Sequence, residues 1–140
     1  MMAEVAAQLP MDRVHFLGSL PHKDYLRVLA VSSCHVYLTY PFVLSWSCVE
    51  AMSAGCVIVA SNTGPLEEVI EDGINGLLVD FFDTASLSQQ VIEVLRDPEK
   101  YKGVGIRARK TVIDRFDLRK ICLPRQVALL SEPVIASGCL

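Results

Sequence analysis

Hydrophobic positions along the chain follow two rhythms. In "CHVYLTY" (Cys34–Tyr40) and "CVIVAS" (Cys56–Ser61) apolar, β-branched and aromatic residues run almost without a break. Such runs mark strands buried on both faces of a parallel sheet. "RVHFLG" (Arg13–Gly18) is a shorter run of the same kind and predicts a strand ended by glycine. Between the runs the spacing changes to three and four. Tyr25, Leu26, Leu29 and Ala30 predict one face of a helix, and Leu87, Val91, Val94 and Leu95 predict another. Strand and helix alternate throughout, which predicts an α/β fold: a Rossmann-like parallel sheet with helices on both faces.

Proline, glycine and capping residues mark the element ends. Pro21 marks entry to the first helix, and Pro41 stops the strand before it. A helix is predicted from about Ser45 to Ala54, with Gly55 where a helix stop belongs. Asn62–Pro65 read as a turn, Leu66–Glu71 as a short helix, and "DGINGLLV" as a turn followed by a strand. Asp83 or Thr84 caps the next helix, and Pro98 sits just inside the one after it. Further helices are expected over about 98–115 and 118–130, and 131–140 as a frayed tail. No repeat or low-complexity linker divides the chain, so residues 12–130 form one unit.

Composition narrows the function classes. The 140 residues are 51% hydrophobic and 21% charged, which excludes a disordered chain. A net charge of −3 argues against nucleic acid as partner. The charges are unevenly placed: Arg96 to Arg125 holds 10 of the 13 Lys and Arg, against 4 of the 16 acids. On predicted helices this is taken as a solvated face, which leaves contact with a membrane surface open but unsupported. No apolar run reaches the length of a membrane helix, and "MMAEVAAQLP" lacks the apolar centre of a signal peptide. The five cysteines show no C-x-x-C pair, and His15, His22 and His35 have no ligand spacing, so no metal site is expected. A reducing, cytoplasmic location is expected.

Candidate chemistry gathers in "TYPFVLSWSCVEAMSAGCVIVAS" (Thr39–Ser61). In parallel sheets ligands bind beyond the carboxyl ends of the strands, where helix N-termini point. The amides opening the Ser45 helix lack intrahelical partners, and the helix dipole adds attraction for a phosphate. The alternative is that Ser45 simply caps its helix. Glu50 lies one and a half turns in, among Trp46, Val49 and Ala54, near the buried side of the helix. A carboxylate there needs donors, and ribose hydroxyls would supply them; the alternative is an ordinary solvated glutamate. Trp46 is read as core or loop packing rather than a platform for a sugar ring. Glu67 and Glu68 suit the first turn of a short helix.

"VEAMSAGCVIVASNTGPLEEVIEDGINGLLVDFFD" resembles the signature region of nucleotide-sugar-dependent glycosyltransferases of the GT-B, group 1 type. The matches to that family's pattern are Glu50, Ala51, Met52, Ala54, Gly55, Val57, Val59, Gly64, Glu68, Val69, Asp72, Gly73, Gly76, Leu77 and Val79. The flanking segments extend the similarity over roughly residues 12 to 130. The resemblance implies that the chain is an incomplete GT-B C-terminal domain binding a nucleotide diphosphate sugar as substrate, without a cofactor or tightly bound metal. It implies retaining transfer of a hexose to an acceptor. It places Glu50 on the donor's ribose, the loop and helix start at Leu44, Ser45, Trp46 and Ser47 on the diphosphate, and Ser19 and Leu20 near the base.

Three positions depart from the pattern. Phe42 stands eight residues before Glu50, where the family has the first acid of its Glu-x7-Glu motif, so no catalytic residue is assigned. Ser45 replaces a glycine of the phosphate loop, and Cys56 stands where proline is common. The family's N-terminal acceptor domain and two strands bearing an Arg and a Lys have no counterpart here. A partner supplying the acceptor domain, or self-association through an exposed sheet edge, is therefore expected. The alternative is a catalytically inactive fragment or partner subunit that works by protein–protein association.

Overall fold

The computed structural model describes residues 10–40 and 43–131. Three parallel strands, β1 (Cys34–Tyr37), β2 (Val57–Ser61) and β3 (Leu77–Val79), form one sheet in the order β1-β2-β3. Cys34 aligns with Val57, and Val59 with Leu77. The connecting helices are α1 (His22–Val31), α2 (Trp46–Ala54), α3 (Gly64–Glu67), α4 (Thr84–Arg96) and α5 (Pro98–Phe116). A π-helical turn, Leu118–Cys122, leads into α6 (Leu123–Ser131).

The central strand explains the layering. Every residue of β2 is buried, as its unbroken apolar run requires. Ile58 and Ala60 face one cluster, with Leu29 of α1 and Cys48, Ala51 and Met52 of α2. Val57 and Val59 face the other, with Val94 of α4 and Tyr101 and Val104 of α5. Helices therefore cover both faces, as the alternation predicts.

Four expectations need correction. Arg13–Gly18 is not a strand: Met11–Arg13 form a 3-10 turn, and the stretch after it joins no sheet among the described residues. No neighbouring strand among the described residues offers it backbone partners, and Phe16 and Leu17 remain 74% and 52% exposed. On α1 the inner face is Tyr25 and Leu29, one turn apart, while Leu26 and Ala30 point outward. On α4 Leu87, Val91 and Val94 face the core, but Leu95 is exposed. The basic face of α5 is not merely solvated. Arg107 Nε donates to the Ile74 carbonyl at 2.6 Å and Arg115 to the Glu68 carbonyl at 2.7 Å, while Arg109 reaches the Ser53 carbonyl. These guanidinium groups close backbone acceptors that the loops and the end of α2 leave open.

Of the tail expected over 131–140, Ser131 ends α6, while residues 132–140, like Phe42, lie outside the described residues.

Candidate functional site

The carboxyl ends of the strands are tied together before any side chain is offered to a ligand. Ser61 Oγ, buried at the end of β2, accepts from the Thr39 amide at 3.0 Å and donates to the Thr39 carbonyl at 2.8 Å. This clamps the exit of β1 beside the exit of β2. Beyond it, Tyr40 stacks on Phe81 with ring centroids 5.3 Å apart, and Phe82 meets Tyr40 edge-on at 5.2 Å.

From that edge the chain enters α2. Ser45 is its N-cap: the hydroxyl oxygen accepts from the Ser47 amide at 3.2 Å and lies 2.9 Å from the Ser47 hydroxyl. The cap is thus real, and it puts two hydroxyls at the positive end of the helix dipole. Leu44 is half-buried and packs against the core below. Trp46 is 83% exposed, contrary to the expected packing role. It occupies the first helical position, on the side turned away from the core that Cys48, Ala51 and Met52 fill. Core packing at the next turn therefore leaves the indole in solvent.

The other end of α2 is tied down by close packing. Gly55 ends it in the left-handed conformation, at φ 83°, with its amide returning to the Met52 carbonyl at 2.9 Å. Gly105 of α5 crosses there so closely that a Cβ would collide with the Gly55 carbonyl oxygen. Burial pushes the Cys48 thiol up to about 12, and the Cys56 thiol, also raised by burial, donates to the Leu29 carbonyl at 2.9 Å. These cysteines behave as small core residues rather than nucleophiles.

Glu50 sits between the two ends. Its side chain is 31% exposed, half-buried as the helical spacing suggests, and Oε1 lies 2.9 Å from His22 Nε2. His22 is the first residue of α1, directly after Pro21 and the loop containing exposed Ser19 and half-buried Leu20. Tyr25, one turn further on, has a buried hydroxyl with no hydrogen-bond partner among the described residues. Burial first, and then the negative charge of Glu50, raise the pKa of that phenol. The structure thus joins Glu50 to the start of α1, just after Ser19 and Leu20, and has Ser45, Trp46 and Ser47 at the start of α2. His22 escaped sequence reasoning, because nothing in a single sequence links residues 28 apart. Among the described residues no cluster of His, Cys, Asp and Glu could hold a metal ion.

The fold is thus a parallel α/β sheet with a serine-capped helix start at its carboxyl edge and a half-buried acid on that helix. Comparison with known proteins makes this specific. The sequence profile of the glycosyl transferases group 1 matches residues 2–111, and the chain belongs to that family. It is 33% identical over 110 residues to the N-acetyl-alpha-D-glucosaminyl L-malate synthase of Bacillus anthracis, covering 79% of this chain and 28% of that protein. It is 28% identical over 108 residues to the D-inositol 3-phosphate glycosyltransferase of Nocardia farcinica, covering 76% of this chain and 24% of that one. The chain therefore spans about a quarter of the length of these curated relatives. The crystal structure of Anabaena Alr3699/HepE in complex with UDP-glucose superposes with a TM-score of 0.79 at 25% identity, covering 94% of this chain and 37% of that one. The sucrose-phosphate synthase of Thermosynechococcus elongatus gives 0.75 at 27% identity, over 93% of this chain and 34% of its own. Both share the fold of this chain over about a third of their own length, in keeping with the α/β architecture that the sequence resembles. No helix among the described residues is long and apolar enough to cross a membrane.

Proposed function

We propose that this chain is the donor-binding part of a retaining glycosyltransferase that takes a hexose from a nucleoside diphosphate sugar. The observation that carries the reading is Glu50: a half-buried carboxylate on the very helix whose capped start faces the carboxyl edge of the sheet. A diphosphate at the start of α2 would meet the amides around Leu44, Ser45, Trp46 and Ser47 and the helix dipole. The ribose hydroxyls would then fall to Glu50, and the base to the loop at Ser19 and Leu20. The donor enters as substrate, so no cofactor or metal is required. Alr3699/HepE was solved with UDP and with UDP-glucose, which makes UDP the first ligand to try.

Family membership supports the chemistry in outline. Charge builds on the leaving diphosphate as the sugar bond breaks, and the start of α2 would stabilise it electrostatically. The acceptor would come from a separate domain or a second copy, and the outer edge of β1, which pairs only with β2 among the described residues, offers a place for either. The free thiols Cys34, Cys48, Cys56 and Cys122 suit a reducing compartment, and we place the work in the cytoplasm on that ground.

Calorimetry with UDP, GDP and ADP tests the reading. Saturable binding of one of them is expected, weakened roughly tenfold by Glu50→Ala, the scale of one hydrogen bond to a charged group. If none binds up to millimolar concentration, the reading fails.

A further inference from the structure

We propose that His22 is a positioning residue for the nucleoside half of the site, holding Glu50 at a fixed distance from the Ser19–Leu20 loop. This rests on the donor-binding reading above. Three observations converge on it. The first is the contact itself, His22 Nε2 to Glu50 Oε1 at 2.9 Å, joining the first turn of α1 to the middle of α2.

The second is what lies on either side of the contact. His22 follows Pro21, whose φ of −55° and ψ of 140° set an extended entry to α1. Ser19 and Leu20 stand immediately before that proline, and Gly18 turns the chain ahead of them at φ 61°. The Asp24 and Tyr25 amides both return to the Pro21 carbonyl, at 2.9 and 3.1 Å, so the start of α1 is a firm anchor. A rigid proline between loop and anchor transmits the position of His22 to the loop. The His22–Glu50 contact thereby sets the distance between two elements that would grip a base and its ribose.

The third is the local field. Glu50 lies at the N-terminal end of α1, where the dipole favours an anion. Its charge is near enough to raise the pKa of the Tyr25 phenol, second to burial, and that hydroxyl is buried and lacks a partner among the described residues. Without His22 the carboxylate would be free to turn toward that unsatisfied donor and away from a bound ribose. His22 is 67% exposed and contributes little to the core, so its geometry is better explained by what it holds than by packing.

The test is calorimetry of UDP and of pyrophosphate with the 140-residue chain and four variants: His22→Ala, His22→Gln, the double variant His22→Ala/Tyr25→Phe, and Glu50→Ala. Gln carries an amide nitrogen where His has Nε2. His22→Ala is expected to weaken UDP roughly tenfold, the scale of a charge-assisted hydrogen bond. His22→Gln should restore most of the loss, and pyrophosphate binding should not change in either. Tyr25→Phe combined with His22→Ala should recover part of the affinity, since the competing donor is gone.

His22→Ala binding UDP like the parent, while Glu50→Ala does not, would overturn the positioning role and leave the donor-binding reading standing. Equal losses of UDP and pyrophosphate in His22→Ala and His22→Gln would also overturn it, by showing general damage to the site. A parent chain that binds none of UDP, GDP and ADP would remove both.

Discussion

The two ends of α2 are built on opposite principles. At its C-terminal end Gly55, Gly105 and Arg109 tie the helix down: a left-handed glycine, a helix crossing with no room for a Cβ, and a guanidinium on the Ser53 carbonyl. At its N-terminal end Ser45 and Ser47 present hydroxyls, Trp46 stands in solvent, and Glu50 is held, among the described residues, by an exposed histidine. One end is fixed so that the other can be offered. A helix start that binds an anion gains from not having to be ordered at the moment of binding, and the packed end supplies that rigidity.

The sharpest way to break the contrast is to loosen the packed end. Met52 is fully buried between Ile58 of β2 and the rest of the first cluster. Met52→Ala leaves a cavity and is expected to cost about 2–5 kcal/mol, read by denaturant unfolding. Because that loss falls on the anchor, UDP affinity measured well below the midpoint should fall as well. Retained affinity in a destabilised chain would show that the helix start keeps its form without its base.

Gly105→Ala acts on the same end by the reverse route. Alanine is the better helix former by about 1 kcal/mol. The added Cβ, however, meets the Gly55 carbonyl, a backbone atom that cannot swing aside. Overpacking should dominate and leave a net destabilisation of about 1–3 kcal/mol. A thermal midpoint at or above the parent's would mean that α5 can move away from α2, and the close crossing would not be the anchor described.

Much of this anchor is legible in the chain itself. The unbroken run Val57–Ser61 specifies a buried central strand, and Gly55 marks the end of α2, because both effects act within a few residues. The position of Glu50, half-buried on the helix after β1, follows from its helical neighbours in the same way. What could not be read depends on distant partners. Val14–Leu17 has the composition of a strand, yet a strand exists only by pairing, and no described neighbour pairs with it. His22 meets Glu50, and Arg107 meets Ile74, across 28 and 33 residues of chain respectively, a folded proximity that no local pattern encodes. Trp46 misled because a tryptophan beside a buried helix suggests packing, whereas the first turn of α2 rotates it outward.

The smallest effect separates the roles of Ser45. As a cap, its oxygen takes the Ser47 amide, and Ser45→Ala should cost about 1 kcal/mol of stability. Ser45→Gly should cost only a few tenths, since glycine is itself tolerated at this position. For a phosphate the order is different. With the hydroxyl gone in either variant, the Ser47 amide is released, and a diphosphate at the helix start could take it directly. Pyrophosphate affinity should therefore hold or rise in Ser45→Gly despite the lost hydroxyl. A fall in both variants would show that the hydroxyl itself contacts the anion, and the N-terminal end of α2 would then bind through its side chains rather than its backbone.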